Sequence, residues 1–159
     1  MDAERHDVLV LCVGNLLAGD DGVGVHVAQR LERSGPPPRV RVVDGGTLGL
    51  DLLPLFDTAA ALVIVDAAEL GMDAGSVRVL EGDDLHAVFS RHLSAHQVGV
   101  ADLLALGSLL GSLPDRVALV AIQPGPWTGL STDLSPPVAG AVEAAMRAAV
   151  ETALVMAGT

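Results

Sequence analysis

The sequence predicts an α/β fold: a three-layer sandwich in which a twisted, mostly parallel sheet of about five strands is flanked by helices. Two observations carry this. Short continuous apolar runs, Val8–Val13 and Ala61–Asp66 above all, have the length and composition of strands buried on both faces. Between such runs lie segments whose apolar residues recur at helical spacing. A chain of 159 residues, 50% hydrophobic, suits one domain over 1–159. Such a chain buries about two-thirds of its unfolded surface without disulfide support.

The elements follow in order. Val8–Val13 is the first strand and ends at Gly14. Gly22–Arg33 is a helix with Val23, Val27 and Leu31 on one face, stopped by Gly35-Pro36-Pro37-Pro38. Val40–Asp44 is the second strand, Gly45–Gly49 a turn, and Leu50–Phe56 a short amphipathic helix. Ala61–Asp66 is the third strand and Ser76–Leu80 a fourth, at the sheet edge. Ser94–Leu110 opens with a capping-box pattern, Ser94-x-x-Gln97, which predicts a helix from Ser94 to near Gly111. Val117–Ile122 is the fifth strand. Pro136 opens the last helix, with Val138, Val142, Ala145, Met146, Ala149, Val150 and Leu154 as its apolar stripe.

Charge excludes several functions. All nine basic residues are Arg, against 14 Asp and 6 Glu, for a formal charge of −11. Such a chain lacks the basic patches that nucleic acid or an anionic membrane surface demands. Without Lys there is no Schiff base, P-loop lysine or Ser-Lys dyad. With no Tyr, two Phe and one Trp, base-stacking platforms are not expected. No apolar run reaches the ~18 residues of a membrane span, and Met1–Asp7 does not read as a signal peptide. The expectation is a cytoplasmic protein without membrane insertion. The single cysteine, Cys12, sits inside an apolar run and reads as a packed core residue.

Three places could carry chemistry. The loop Gly14-Asn15-Leu16-Leu17-Ala18-Gly19-Asp20-Asp21-Gly22-Val23-Gly24 joins a buried strand to a helix, where open α/β sheets bind ligands. Gly14-x-x-x-x-Gly19 imitates a P-loop, but Asp20 and Asp21 stand where Lys and Ser/Thr are needed and would repel phosphate. The loop therefore reads either as a tight turn with acids at a helix start or as a source of metal ligands. Asp66 closes an apolar strand, either as an ordinary strand-end acid or as a carboxylate facing the same edge. His96 falls in the first turn of a helix capped by Ser94, whose dipole favours neutral imidazole, a form able to bind metal. A His92-x3-His96 pair on one helix competes with that reading. His6, His26 and His86 read as surface residues. Two carboxylates and one imidazole would leave open positions on a divalent ion, nickel, zinc or another, and donor type does not choose among them. No Gly-x-Ser-x-Gly elbow or Cys-His pattern competes.

The ordered set Gly14–Gly24, Asp44-Gly45-Gly46-Thr47-Leu48-Gly49, Val65-Asp66-Ala67, Ser94-Ala95-His96-Gln97 and Ile122-Gln123-Pro124 resembles the hydrogenase maturation proteases. The resemblance runs from about Val8 to Leu154. It implies a single sandwich domain and an endopeptidase that trims the C-terminal extension from the nickel-loaded large-subunit precursor of nickel–iron hydrogenase. It further implies that Asp21, Asp66 and His96 recognise nickel carried by that substrate and form the catalytic set, in the manner of an aspartyl-type endopeptidase. Asp44, Gly45, Gly46 and Thr47 help place the substrate tail, with Asp20 and Asp44 supporting the ligands. Position 21 is Glu or Asp in such proteins, and the shorter Asp requires a closer backbone. Gln123, which is Glu in some relatives, is given no catalytic role. Two other functions use the same three residues: a non-enzymatic nickel-binding checkpoint or chaperone, and a zinc hydrolase with its own metal.

Overall fold

The computed structural model describes residues 6–91 and 99–158. Five strands, β1 (His6–Val13), β2 (Val40–Gly46), β3 (Ala59–Ala67), β4 (Val77–Glu81) and β5 (Arg116–Ile122), form one sheet in the order β2-β1-β3-β5-β4. β1 runs parallel to β2 and β3, and β3 parallel to β5; only the edge strand β4 is antiparallel, against β5. Cys12 of β1 pairs with Asp44 on one side and Val65 on the other. This register brings Gly14, Gly46 and Asp66 to one edge, where the strands end.

Alternation along the central strands builds two cores. Val8, Val10 and Cys12 face the layer containing α1 (Val23–Ser34), α4 (Pro136–Ala139) and α5 (Val142–Met156). Leu9, Leu11 and Val13 face a 3-10 helix (Gly49–Thr58), α2 (Gly82–Arg91) and α3 (Val100–Leu109). In α5, Ala145, Ala149 and Ala153 repeat every fourth residue with no exposure, so the helix lies close to the sheet. The three-layer α/β sandwich follows. Among the described residues, no helix is long and apolar enough to cross a membrane.

Four local expectations change. The 49–58 segment is 3-10 rather than α; Pro54 inside it has no N–H to donate, though Leu52 and Phe56 are buried as an amphipathic segment requires. α2 lies in a stretch read as having no element. The segment after it does not run as one helix from Ser94 to Leu110: Gly99 is extended (φ −84°, ψ 179°) and precedes α3. The Asp102 carboxylate accepts the Gly99 N–H at 3.1 Å and fixes the start there. Ser94, His96, Gln97 and the alternative partner His92 lie outside the described residues. Finally, Pro136 opens a separate single turn, α4. The Ala141 N–H bonds to the Val138 carbonyl three residues back, and this tight turn separates α4 from α5.

Candidate active site

Strand order reverses direction between β1 and β3, the first continuing outward to β2 and the second to β5. The crevice beyond the ends of β1 and β3 is the place where open α/β sheets bind ligands. Asp66 ends β3 there, and the loop carrying Asp21 leaves β1 there.

That loop is held close to the sheet by glycine. Gly14 has φ +151°, and a Cβ on it would overlap the Asp21 carbonyl oxygen. A Cβ on Gly24 would overlap the Val13 carbonyl oxygen and stand 2.7 Å from that of Val65. The glycines are therefore packing devices that seat α1 directly on the ends of β1 and β3. The Asp21 carboxylate accepts the Asn15 N–H at 3.1 Å, and the Asn15 side chain accepts the Leu17 N–H at 3.0 Å. These bonds curl the loop around Asp21.

Asp21 and Asp66 line one cleft of about 580 Å³ with Gly46, Thr47, Leu48 and Val100. Its walls, among the described residues, include no Arg or His. Burial pushes the Asp66 carboxyl well above the ordinary carboxylate range, and the nearby Asp21 charge pushes it further; the Ala67 N–H, 2.8 Å from Asp66 Oδ1, acts the other way. A cation placed in the cleft would relieve both effects, and carboxylate oxygens suit a divalent ion. Among the described residues, no group of three His, Cys, Asp or Glu side chains is placed to hold a metal ion. Burial also raises the Cys12 thiol, reinforced by Asp44, Glu32 and Asp66, which removes it as a nucleophile at neutral pH.

Of the residues read from the second motif, Gly46 and Thr47 line the cleft, while Asp44 and Gly45 are not among its walls. Asp44 accepts the Gly46 N–H at 3.0 Å and shapes the turn; Gly45 is buried against Leu11 and Leu52. His96 lies outside the described residues.

Two polar residues organise the surroundings. Asp20 accepts the Gly125 N–H at 2.8 Å and both the N–H and hydroxyl of Ser135 at 2.7 Å. Gln123, the buried polar residue of the core, accepts the Leu70 N–H at 2.6 Å and donates to the Glu69 carboxylate and the Pro124 carbonyl at 3.0 Å. Asp20 stood in the acidic loop motif, but its partners lie more than a hundred residues away. The Gln123-Pro124 dipeptide at a strand end was the only sequence sign of the second network.

Comparison with known proteins yields a consistent set. The family model for hydrogenase maturation protease matches residues 25–152. The hydrogenase expression/formation protein HupD of Rhodobacter capsulatus is 39% identical over 145 residues, covering 90% of this chain and 69% of that protein. The hydrogenase 2 maturation protease of Escherichia coli K12 is 34% identical over 146 residues, covering 89% of both. The solved structure of the hydrogenase maturating endopeptidase HybD from Escherichia coli is similar, with a TM-score of 0.80 at 31% identity, covering 92% of this chain and 91% of that one.

Proposed function

The chain belongs to the hydrogenase maturation protease family, and from that premise we propose that it is a cytoplasmic endopeptidase that removes the C-terminal extension of a nickel-loaded hydrogenase large-subunit precursor. The observation that carries the nickel part of this reading is the Asp21–Asp66 pair. Two carboxyl groups share a cleft whose described walls hold no basic side chain, and burial and then the Asp21 charge disfavour ionisation of Asp66. A cation delivered by the substrate balances them.

In this reading Asp21 and Asp66 face the substrate-borne nickel, and His96, three positions before the cleft residue Gly99, supplies a third ligand. Gly46 and Thr47 border the same cleft and guide the tail past the acids. Nickel, as cargo of the substrate, polarises the scissile carbonyl or the water that attacks it. Asp21 and Asp66 orient that centre and gate cleavage on metal insertion. No nucleophilic side chain of this protein takes part, in keeping with the burial of Cys12.

The test is to mix the protein with nickel-loaded and nickel-free precursor and to read product mass. Cleavage of the loaded form alone supports the reading. Failure to cleave any cognate loaded precursor overturns the protease function, and binding without a change of mass identifies a checkpoint protein instead. Equal cleavage of both forms overturns nickel gating alone. About one equivalent of zinc retained on purification assigns the metal to the enzyme rather than the substrate. Asp21→Asn, Asp66→Asn and His96→Ala each abolish processing with the fold intact; full activity in all three removes the site assignment.

A further inference from the structure

Asp21 stands between two clefts. Beside the one it shares with Asp66, it lines a second of about 570 Å³, whose walls include Asp20, Glu69, Pro124, Trp127 and Asp133. The outer wall belongs to the long connection between β5 and α4. This connection is tied to the Asp21 loop at both ends. Near its start the Gly125 N–H bonds to Asp20 at 2.8 Å. Near its end Ser135 bonds twice to Asp20, Ser131 donates to the Leu17 carbonyl at 2.9 Å, and Gly19 donates to the Ser131 carbonyl at 2.8 Å.

Between these ties the tip at 126–130 holds Trp127, 66% exposed, and Leu130, 80% exposed; Leu17, tied to Ser131, is 59% exposed. One exposed leucine needs no explanation, but a tryptophan and two leucines on mutually anchored loops beside the candidate site do. Trp is the side chain most enriched among interface anchors, because it buries a large rigid surface. The ionisable residues lining the adjacent cleft, Asp20, Asp21, Glu69 and Asp133, are all acids. A surface of this kind is complementary to an apolar patch bordered by basic side chains.

We propose that the 126–130 tip, with Trp127 foremost, is a docking element for the folded body of the precursor, seated on an apolar patch bordered by Arg or Lys while the tail lies in the Asp21–Asp66 cleft. The identity of the partner rests on the protease reading; the docking role rests on the anchored tip. The Asp20 ties fix the span between the place where the body sits and the place where the tail is cut. They make recognition of the body and presentation of the tail parts of one rigid unit.

The experiment uses the full chain and two variants, Trp127→Ala and Leu130→Ser, titrated with nickel-loaded precursor, reading both equilibrium binding and cleavage. Each variant raises Kd and KM, Trp127→Ala by about tenfold or more, and the loss appears in KM rather than in kcat. Raising ionic strength weakens wild-type binding, and Trp127→Phe recovers much of it. Thermal melting verifies that the exposed substitutions leave the fold intact. Unchanged Kd and KM in both variants overturn the docking role and leave the protease reading standing, as does a loss confined to kcat. A wild-type protein that binds without cleaving, and binds less well as Trp127→Ala, overturns the protease reading and supports docking. A wild-type protein that neither binds nor cleaves overturns both.

Discussion

Asp20 and Ser135 lie 115 residues apart in the chain and meet through two hydrogen bonds, from the Ser135 amide to Oδ1 and from its hydroxyl to Oδ2, each of 2.7 Å. The Gly125 amide adds a third, to Oδ2 at 2.8 Å. Asp20 thereby spends its charge on the connection between β5 and α4, while its neighbour Asp21 remains directed to the cleft. Two adjacent acids of identical type have separate surroundings, one bound to the connection between β5 and α4 and one lining the cleft with Asp66.

Removing the clasp should therefore cost stability. Asp20→Ala strips one acceptor from three donors and lowers unfolding free energy by about 2 kcal/mol, whereas Ser135→Ala, which loses the hydroxyl bond alone, costs about 1 kcal/mol. Desolvation raises the Asp20 carboxyl, but its bonds to Ser135 and Gly125 outweigh that and set it below the ordinary carboxylate range. A carboxyl lowered on folding stabilises the protein above its unfolded-state pKa, and that contribution disappears as pH falls through the folded value. Urea unfolding across the acid range should show a shallower decline in Asp20→Ala than in the wild type.

Asp66 has the opposite sign. Burial and then Asp21 raise its carboxyl on folding. Its contribution is fully present below the unfolded-state pKa and is lost as pH rises through the raised folded value, because folding then confines an anion. Asp66→Asn retains an oxygen for the Ala67 N–H and removes the anion. Its melting temperature should match the wild type in acid and exceed it increasingly toward neutral and alkaline pH, while processing of precursor is abolished. A wild type that is the more stable at alkaline pH contradicts this account and the repulsion it rests on. The expected gain in stability with loss of function is the usual signature of an acid retained for its chemistry.

The sheet was legible because its central strands are covered on both faces: Val8–Val13 and Leu62–Val65 are uninterrupted apolar runs that leave no other solution at that length. α2 was not, because its first turn carries Asp83 and Asp84, and of its described residues only Leu85 is fully buried, so little of its periodicity rises above a loop. The Ser94 capping pattern was plausible locally, yet the described helix starts after Gly99, where Asp102 completes the turn. Asp66 was legible as an acid at a strand end, and Asp21 as an acid at the start of the helix that follows the first strand. The division of labour between Asp20 and Asp21 was not, because a pattern of neighbours carries no record of donors at Gly125 and Ser135.

The glycines of the first loop make a further prediction. Gly24→Ala forces a methyl group into the Val13 and Val65 carbonyls and displaces α1 from the strand ends. The cost is about 1–3 kcal/mol, with loss of processing because the Asp21 loop moves with the helix. Gly140→Ala is the control: φ is −68°, the nearest atom stands 3.4 Å from the added Cβ, and stability should change by about 0.5 kcal/mol or less. Chemical denaturation of both variants checks the contrast. An equal, small effect at both positions would show that the loop glycines are not packing devices.

Gln123 offers a test of polar networks inside the core. It is 4% exposed, and both ends of its amide are engaged: the oxygen by the Leu70 N–H, the nitrogen by the Glu69 carboxylate and the Pro124 carbonyl. Gln123→Leu leaves these groups without their partner and should cost about 1–3 kcal/mol at any pH. Gln123→Glu keeps the shape and the acceptor for Leu70, but replaces a donor by an oxygen facing Glu69. Two carboxylates in contact do not both ionise without cost. The Glu variant should therefore be destabilised at neutral pH and recover toward the wild type in mild acid, as one of the pair takes up a proton and again donates. Melting curves of the two variants over that pH range separate the cases: a recovery in acid unique to Glu identifies the contact with Glu69, and parallel curves for Leu and Glu refute it.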